Sequence, residues 1–302
     1  MSASTQPTAS THPTAPAPHP APEFLLGGDL PVRRLGYGTV QLAGPGVWGP
    51  RGSDAEATAV LRRAVELGVT LVDTADNYGP GLVEERVAAA LHPYAKGLVV
   101  ATKGGVVRTS AEAWHVEGRP ERLRAMCEES LRRLRTDRID LYQLHRFDPE
   151  VPMAEQLGAL RELRDAGKVR HVGLDSVTAE QLQAALDLDI VPIVSVQNRY
   201  NVLDRASEPL LKLCEARGIA FLPWFPLGNG SLTDQPECAA IARAHGATPS
   251  QIALAWLLHH SPVLCPTPGT GSVAHLEENL GAASIRLTTR ELGRLDALTL
   301  AA

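Results

Sequence analysis

Cysteine, aromatic side chains, long apolar runs and charge of either sign in excess are all scarce in this chain. Its 302 residues hold four cysteines, Cys127, Cys214, Cys238 and Cys265, and only 4% Phe, Trp and Tyr. No Cys-x-x-Cys pair occurs and no histidine lies near a cysteine at zinc spacing. That argues against a disulfide framework or a structural metal, and points to reduced thiols in a cytoplasmic protein. No apolar run approaches the length of about 20 residues that a membrane helix needs. The formal net charge is -5, with no polybasic run, which disfavours nucleic acid and anionic membranes as partners. Arg122, Arg124, Arg132, Arg133 and Arg135 cluster, but they interleave with Glu121, Glu128 and Glu129 at helical spacing and read as a solvated helix face. Residues 1–23 are mostly Ala, Pro, Thr and Ser, and the first Lys or Arg is Arg33. A secretory signal needs a positive start followed by an apolar core, so none is expected. Too little apolar surface is present there to offset chain entropy, and the segment reads as a disordered tail.

From residue 24 to residue 302, strand and helix patterns alternate. Phe24-Leu25-Leu26 and Pro31-Val32-Arg33, joined through Gly27-Gly28-Asp29, read as an N-terminal β-hairpin. Strands are then expected near Leu35–Gly38, up to Asp73, and at Leu98–Ala101, Ile139–Leu144, Val169–Leu174, Ile193–Val196, Ile219–Leu222 and Val263–Cys265. Helices are expected at Asp54–Leu67, Leu82–Leu91, Pro120–Arg135, Met153–Ala166, Thr178–Leu186, Ser207–Arg217, Glu237–Ala244, Pro249–His259, Val273–Ala283 and Thr289–Leu298. Ser53 and Glu56 fit a capping box at the first helix, and Gly68 fits its stop. Repeated βα units with right-handed crossovers close most simply into a (β/α)8 TIM barrel, and such barrels run well past 200 residues as one domain. A doubly wound sheet would carry G-x-G-x-x-G after its first strand; Gly36-Tyr37-Gly38 begins that motif, but Gln41 stands at its third glycine.

Several apolar runs end in a polar side chain. Asp73 ends Val69–Val72 and is followed by Tyr78 in a turn. Lys103 follows Leu98–Ala101, His145 follows Ile139–Leu144, and Gln197 follows Val194-Ser195-Val196. A barrel enzyme builds its site at the C-terminal ends of its strands. Taken singly, Asp73 fits a loop cap, Tyr78 a packing residue and His145 a satisfied core histidine. Lys103 is the hardest to explain without a partner, because a buried ammonium is costly. Taken jointly, the four read as a catalytic group, since mutually tuned side chains cluster at active sites.

Asp73, Tyr78, Lys103 and His145, in that order and within DTADNYG, ATKGG and YQLH, resemble the catalytic tetrad of the aldo-keto reductases. VQNRYN from Gln197 agrees, and the resemblance covers the chain from about Phe24 onward. It implies a (β/α)8 barrel whose hairpin closes the bottom, and reduction of small-molecule aldehydes or ketones to alcohols. No side chain donates hydride, so a nicotinamide must supply it. Tyr78 would give the proton, its pKa lowered toward the working range by Lys103. Asp73 would anchor Lys103, and His145 would orient the substrate oxygen.

The resemblance also assigns a nicotinamide-dinucleotide site. It comprises Asp175, Ser176, Gln197, Trp224, Pro226 and Leu227, with Gly269, Thr270, Gly271, His275, Glu278 and Asn279 toward the phosphates and adenosine. The turn Pro268–Ser272 leads into a helix whose free N–H groups favour phosphate, with Ser272 as its N-cap. Two departures stand out. Asp175-Ser176 replaces the family's usual Ser-Asn. Gly269 and His275 replace a Lys and an Arg near the adenosine 2′-phosphate. NADP(H) is the cofactor implied by the family, with NAD(H) the alternative. No metal is expected. Trp48, Trp114 and Phe225 are candidate substrate contacts. The chain ends soon after its last expected helix, which implies an open pocket and broad aldehyde specificity. PGTGSVAHLEEN resembles bacterial members of the pyridoxal reductase type. The reading from another class is a cofactor-sensing regulatory subunit with slow turnover.

Overall fold

The computed structural model describes residues 21–228 and 235–298. The expected tail lies outside them as far as residue 20. Ordered structure begins before residue 24: Ala21 is buried, the Pro22 carbonyl accepts from the Arg34 amide, and the first strand starts at Glu23.

Two short strands, β1 (Glu23–Leu26) and β2 (Leu30–Arg33), pair antiparallel with Leu26 opposite Leu30. Their turn needs Gly27, at φ 58°, where a Cβ would fall 2.3 Å from the His171 ring. The remaining strands are β3 (Tyr37–Gly38), β4 (Leu71–Asp73), β5 (Val99–Gly104), β6 (Val106–Arg108), β7 (Trp114–Val116), β8 (Ile139–Leu144), β9 (Val169–Asp175), β10 (Ile193–Arg199) and β11 (Ala220–Trp224). The helices are α1 (Asp54–Glu66), α2 (Leu82–Leu91), α3 (Pro120–Leu134), α4 (Met153–Asp165), α5 (Ala179–Leu188), α6 (Glu208–Arg217), α7 (Pro236–His245), α8 (Pro249–His260), α9 (Val273–Gly281) and α10 (Thr289–Asp296). Reciprocal capping boxes start four of them, Ser53–Glu56, Thr178–Gln181, Thr248–Gln251 and Thr288–Glu291. No helix among the described residues is long and apolar enough to cross a membrane.

Seven strands form one parallel sheet in the order β11-β10-β9-β8-β5-β4-β3. The sheet curls until both edges meet the same segment: Phe221 of β11 bridges Leu264, and Gly38 of β3 bridges Gly269. The expected strand at Val263–Cys265 is reduced to these contacts. Pro266 and Pro268 have no N–H to donate, so a regular ladder cannot run through them. Their carbonyls still accept from Gly36 and Gly38 at 2.9 and 3.3 Å.

Side chains alternate between the two faces of the sheet. Leu71, Val99, Ala101, Leu141, Ala220 and Leu222 point inward and pack with Leu26, Leu30 and Val32 of the β1–β2 pair. Val72, Val100, Tyr142, Val172 and Phe221 point outward and pack under the helices, against Val60, Val87, Leu123, Leu157 and Trp256 among others. Asp29, in the β1–β2 turn, pairs with Arg170 and His171 at the start of β9. The pair therefore sits at the N-terminal ends of the strands. The same alternation sends Asp73, Lys103 and Gln143 inward at the opposite ends.

Several boundaries differ from expectation. β5, β9, β10 and β11 run on to Gly104, Asp175, Arg199 and Trp224; in the first three, the polar residues Lys103, Asp175 and Gln197 prolong the ladders that apolar ones begin. β3 is shortened to Tyr37–Gly38, and α9 and α10 stop at Gly281 and Asp296. The β6–β7 hairpin was not anticipated.

Candidate active site

The strand ends converge on a cavity of about 480 Å³ lined by Asp73, Tyr78, Trp114, His145, Asp175, Ser176, Gln197, Trp224, Phe225, Pro226, Leu227 and Gly269, among others. Lys103 lies behind it, with no solvent exposure. Its ammonium donates to Asp73 Oδ2 at 2.7 Å and to the Thr74 carbonyl at 3.0 Å. Gln143, two residues before His145 on β8, donates to the other Asp73 oxygen at 3.2 Å. Both carboxylate oxygens are thereby engaged. Lys103 Nζ lies 5.3 Å from the centre of the Tyr78 ring.

These contacts decide protonation. Burial is the largest single influence on Lys103 and opposes its charge, but Asp73, Tyr78 and Asp175 together outweigh it and hold the ammonium above its ordinary pKa. Burial is also the largest influence on Tyr78. It pushes the phenol up to about 12 in spite of Lys103. The expected lowering toward neutrality is therefore not found: desolvation of the partly buried phenol at the cavity wall exceeds what a lysine already paired with Asp73 returns. Tyr78 remains a protonated donor throughout the neutral range. Burial, reinforced by Lys103, Arg146 and Arg108, holds His145 well below its ordinary pKa and keeps the imidazole neutral. Asn77 Nδ2 lies 3.1 Å from His145 Nδ1 and also donates to the Val106 carbonyl. With Nδ1 accepting, Nε2 carries the imidazole proton.

Gln197 faces Asp175 across the β9–β10 pairing. Its Nε2 is buried and has no hydrogen-bond partner among the described residues, and neither has Trp224 Nε1. Asp175 Oδ1 accepts from Ser176 Oγ at 2.7 Å, and burial raises its carboxyl to about 7. Val47, Ser176 and Phe225 adopt positive φ of 57°, 55° and 52° and all line the cavity. Such strain concentrates at binding sites.

Thr270, Gly271 and His275 line a second cavity of about 510 Å³, which shares Gln41 and Gly269 with the first. Arg51 and Ser272 also border it. Ser272 caps α9, its hydroxyl accepting from the His275 amide. Glu278 and Asn279 line neither of these two cavities. Glu278 accepts from Thr248 Oγ1 on the neighbouring helix cap, and Asn279 is buried.

Trp114 and Phe225 join the mouth of the first cavity, but Trp48 does not; Val47 lines it instead. The Trp48 indole lies over the Arg108 guanidinium at 5.7 Å, and Trp114 stacks on it at 3.6 Å. Arg108 Nη2 also donates to the carbonyls of Gly46 and Ala111, each at 2.7 Å. It ties the 45–48 loop to the β6–β7 hairpin. The sequence reading missed Gln143, Asn77, Arg108, Arg146 and Arg51. Gln143 and Asn77 were within its reach, since they lie inside the YQLH and DTADNYG motifs.

Known proteins resemble this chain along most of its length. The Aldo/keto reductase family model matches residues 34–299. Pyridoxine 4-dehydrogenase of Escherichia coli is 39% identical over 282 residues, which cover 91% of this chain and 98% of that protein. A thermostable aldo-keto reductase solved with the inhibitor epalrestat superposes with a TM-score of 0.82 at 33% identity, covering 91% of this chain and 98% of its own. An aldo-keto reductase from Klebsiella pneumoniae in complex with NADPH gives a TM-score of 0.79 at 26% identity, with 92% and 94% coverage.

Proposed function

The chain belongs to the aldo/keto reductase family, and on that premise we propose that it is an NADP(H)-dependent oxidoreductase that interconverts aldehydes or ketones with alcohols, with Tyr78 as the proton donor in reduction. The observation that carries this reading is the buried Asp73–Lys103 pair set against Tyr78, at a cavity that also presents the unpartnered amide of Gln197. The bound nicotinamide would supply the hydride.

The residues present fit such a cofactor. A buried amide N–H without a partner is costly unless a ligand accepts from it, and Gln197 Nε2 is offered to a carboxamide oxygen. Trp224 offers an indole face beside it. Backbone at Gly269 to Gly271, together with Arg51 and His275, borders the adjoining cavity and would face the phosphates. Arg51 supplies one fixed positive charge there, which favours NADP(H) over NAD(H) where the usual Lys and Arg are replaced. The NADPH complex of the Klebsiella pneumoniae relative supports the same choice.

Asp73 and Gln143 hold Lys103 in place, and Lys103 makes proton donation by Tyr78 easier than burial alone would leave it. Neutral His145, with its proton on Nε2, donates to the substrate oxygen and fixes its position. Pyridoxal is the first substrate to try, given the Escherichia coli pyridoxine 4-dehydrogenase. We read the segment from Val263 to Gly269 as the eighth stave of a (β/α)8 barrel that β1 and β2 close from below, and place the enzyme in the cytoplasm.

The test is single-turnover oxidation of NADPH and of NADH with pyridoxal and with 4-nitrobenzaldehyde, followed at the nicotinamide absorbance. Turnover that is lost in Tyr78→Phe supports the reading. Tight nucleotide binding without turnover favours a cofactor-sensing subunit, and failure to bind either nucleotide overturns the assignment.

A further inference from the structure

We propose that Asp175 sets which oxidation state of the nicotinamide the cavity prefers, favouring the oxidised form; this rests on the reading that the cavity takes a nicotinamide dinucleotide. Asp175 ends β9 at 2% exposure, lines the cavity, and lies in register with Gln197, whose free amide is the best-defined contact for the nicotinamide carboxamide. The resemblance that identifies the site leads one to expect an uncharged serine here.

An ionised carboxylate in a water-poor cavity attracts a cation more strongly than in bulk solvent. The oxidised nicotinamide ring carries a positive charge and the reduced ring carries none. The charged and titratable groups around Asp175 are Lys103 on β5, Asp73 on β4, Tyr78 beyond β4, and His145 and Arg146 beyond β8. Lys103 is already engaged by Asp73 at 2.7 Å, and His145 is held neutral. Among the described residues no ion pair engages Asp175; its one side-chain hydrogen bond comes from Ser176 Oγ. The cavity therefore contains a carboxylate whose charge is not cancelled by a direct partner.

Because burial raises this carboxyl to about 7, it is poised to release a proton when a cation arrives. Binding of the oxidised cofactor should then release protons near neutral pH and tighten as pH rises. Binding of the reduced cofactor should do neither.

The experiment measures dissociation constants for the oxidised and reduced forms, by tryptophan fluorescence, at pH 6 and pH 8, using whichever of NADP or NAD binds more tightly. Calorimetry in two buffers of different ionisation enthalpy counts the protons. Wild type is compared with Asp175→Asn, which retains an acceptor for Ser176, and with Asp175→Ser. The wild-type preference for the oxidised form should grow about tenfold between the two pH values, the effect of roughly one pKa unit of interaction. Both variants should show a flat ratio and no proton release. A wild-type ratio that does not change with pH, or a slope retained in Asp175→Asn, overturns the inference while leaving the cofactor reading intact. Failure of the wild-type chain to bind either nucleotide overturns the cofactor reading and this inference together.

Discussion

The two ends of the curled sheet are both buried, yet they are filled by opposite chemistry. At the N-terminal ends Leu71, Val99, Leu141 and Ala220 meet Leu26, Leu30 and Val32, and the interior is hydrocarbon. Further along the same strands, Asp73, Lys103 and Gln143 replace them, with Asp175 and Gln197 alongside, none more than 5% exposed. Hydrocarbon at the first end gains stability from every Å² removed from water. Charge and amide at the second end cost stability unless paired, and the pairing there is incomplete: Gln143 Oε1, Gln197 Nε2, Asn77 Oδ1 and Thr74 Oγ1 are buried without partners among the described residues. Stability is thus built at one end and given up at the other, the expected division where a site is held ready for a ligand. Substitutions at the two ends should accordingly fail in different ways.

Tyr78→Phe removes the proposed proton donor without leaving a charge unpaired. It should lower kcat by about 10²- to 10⁴-fold while thermal stability stays close to wild type, as checked by single-turnover kinetics beside a melting curve. An equal loss of both would return Tyr78 to a packing role. Leu141→Ala, at the hydrocarbon end, should do the reverse. Leu141 has no exposed surface, and its truncation should cost about 3 kcal/mol in denaturant unfolding, with activity per folded molecule preserved. Substantial loss of kcat in folded Leu141→Ala would mean that the two ends are mechanically coupled.

How much of this contrast could be read in the sequence follows from pleat geometry. Strand positions and their inward parity were legible, because an apolar run leading to Asp73 or Lys103 places that side chain two residues beyond the inward-facing Leu71 or Ala101. The true ends of β5, β9 and β10 were not, since strand limits fall at the first polar residue while the ladders continue through Lys103, Asp175 and Gln197. The β6–β7 hairpin and the position of Trp48 were hidden for another reason. Both depend on Arg108 bonding to Gly46 and Ala111, 62 and 3 residues away in the chain, and no local pattern encodes such a tie. Glu278 was assigned to the cofactor by motif alone. In the fold it is turned to the Thr248 hydroxyl.

Asp175 offers a smaller effect with a definite sign. Its carboxyl rises from 3.8 to about 7 on burial, so the unfolded chain loses its proton first. Below about pH 4 both states keep the proton and Asp175 imposes no penalty. As pH rises toward 7 the folded state is progressively disfavoured. The ceiling for this shift is roughly 4 kcal/mol, and relaxation around the carboxylate reduces it to roughly 2 kcal/mol. Asp175→Asn should therefore be more stable than wild type at pH 8 and lose that advantage by pH 4. Chemical denaturation at the two pH values checks it, and an equal difference at both would remove the burial argument.

Arg108 tests how far the polar end depends on its loops rather than on its strands. Arg108 is 7% exposed, its guanidinium stacked on Trp114 at 3.6 Å and bonded to carbonyls of the 45–48 loop and of the turn between β6 and β7. Arg108→Ala frees the 45–48 loop, which carries strained Val47 into the cavity wall, but leaves Asp73, Lys103, Gln143 and His145 held by strands and by Asn77. Substrate affinity should weaken about tenfold, equivalent to roughly 1.4 kcal/mol, while kcat at saturation changes little. Arg108→Lys should fare no better, because an ammonium cannot reproduce the planar fork that bridges the carbonyls and stacks on indole. Steady-state kinetics separate KM from kcat. A fall in kcat with unchanged KM would place the control of the reacting groups in the loops, and the strands would then be only their support.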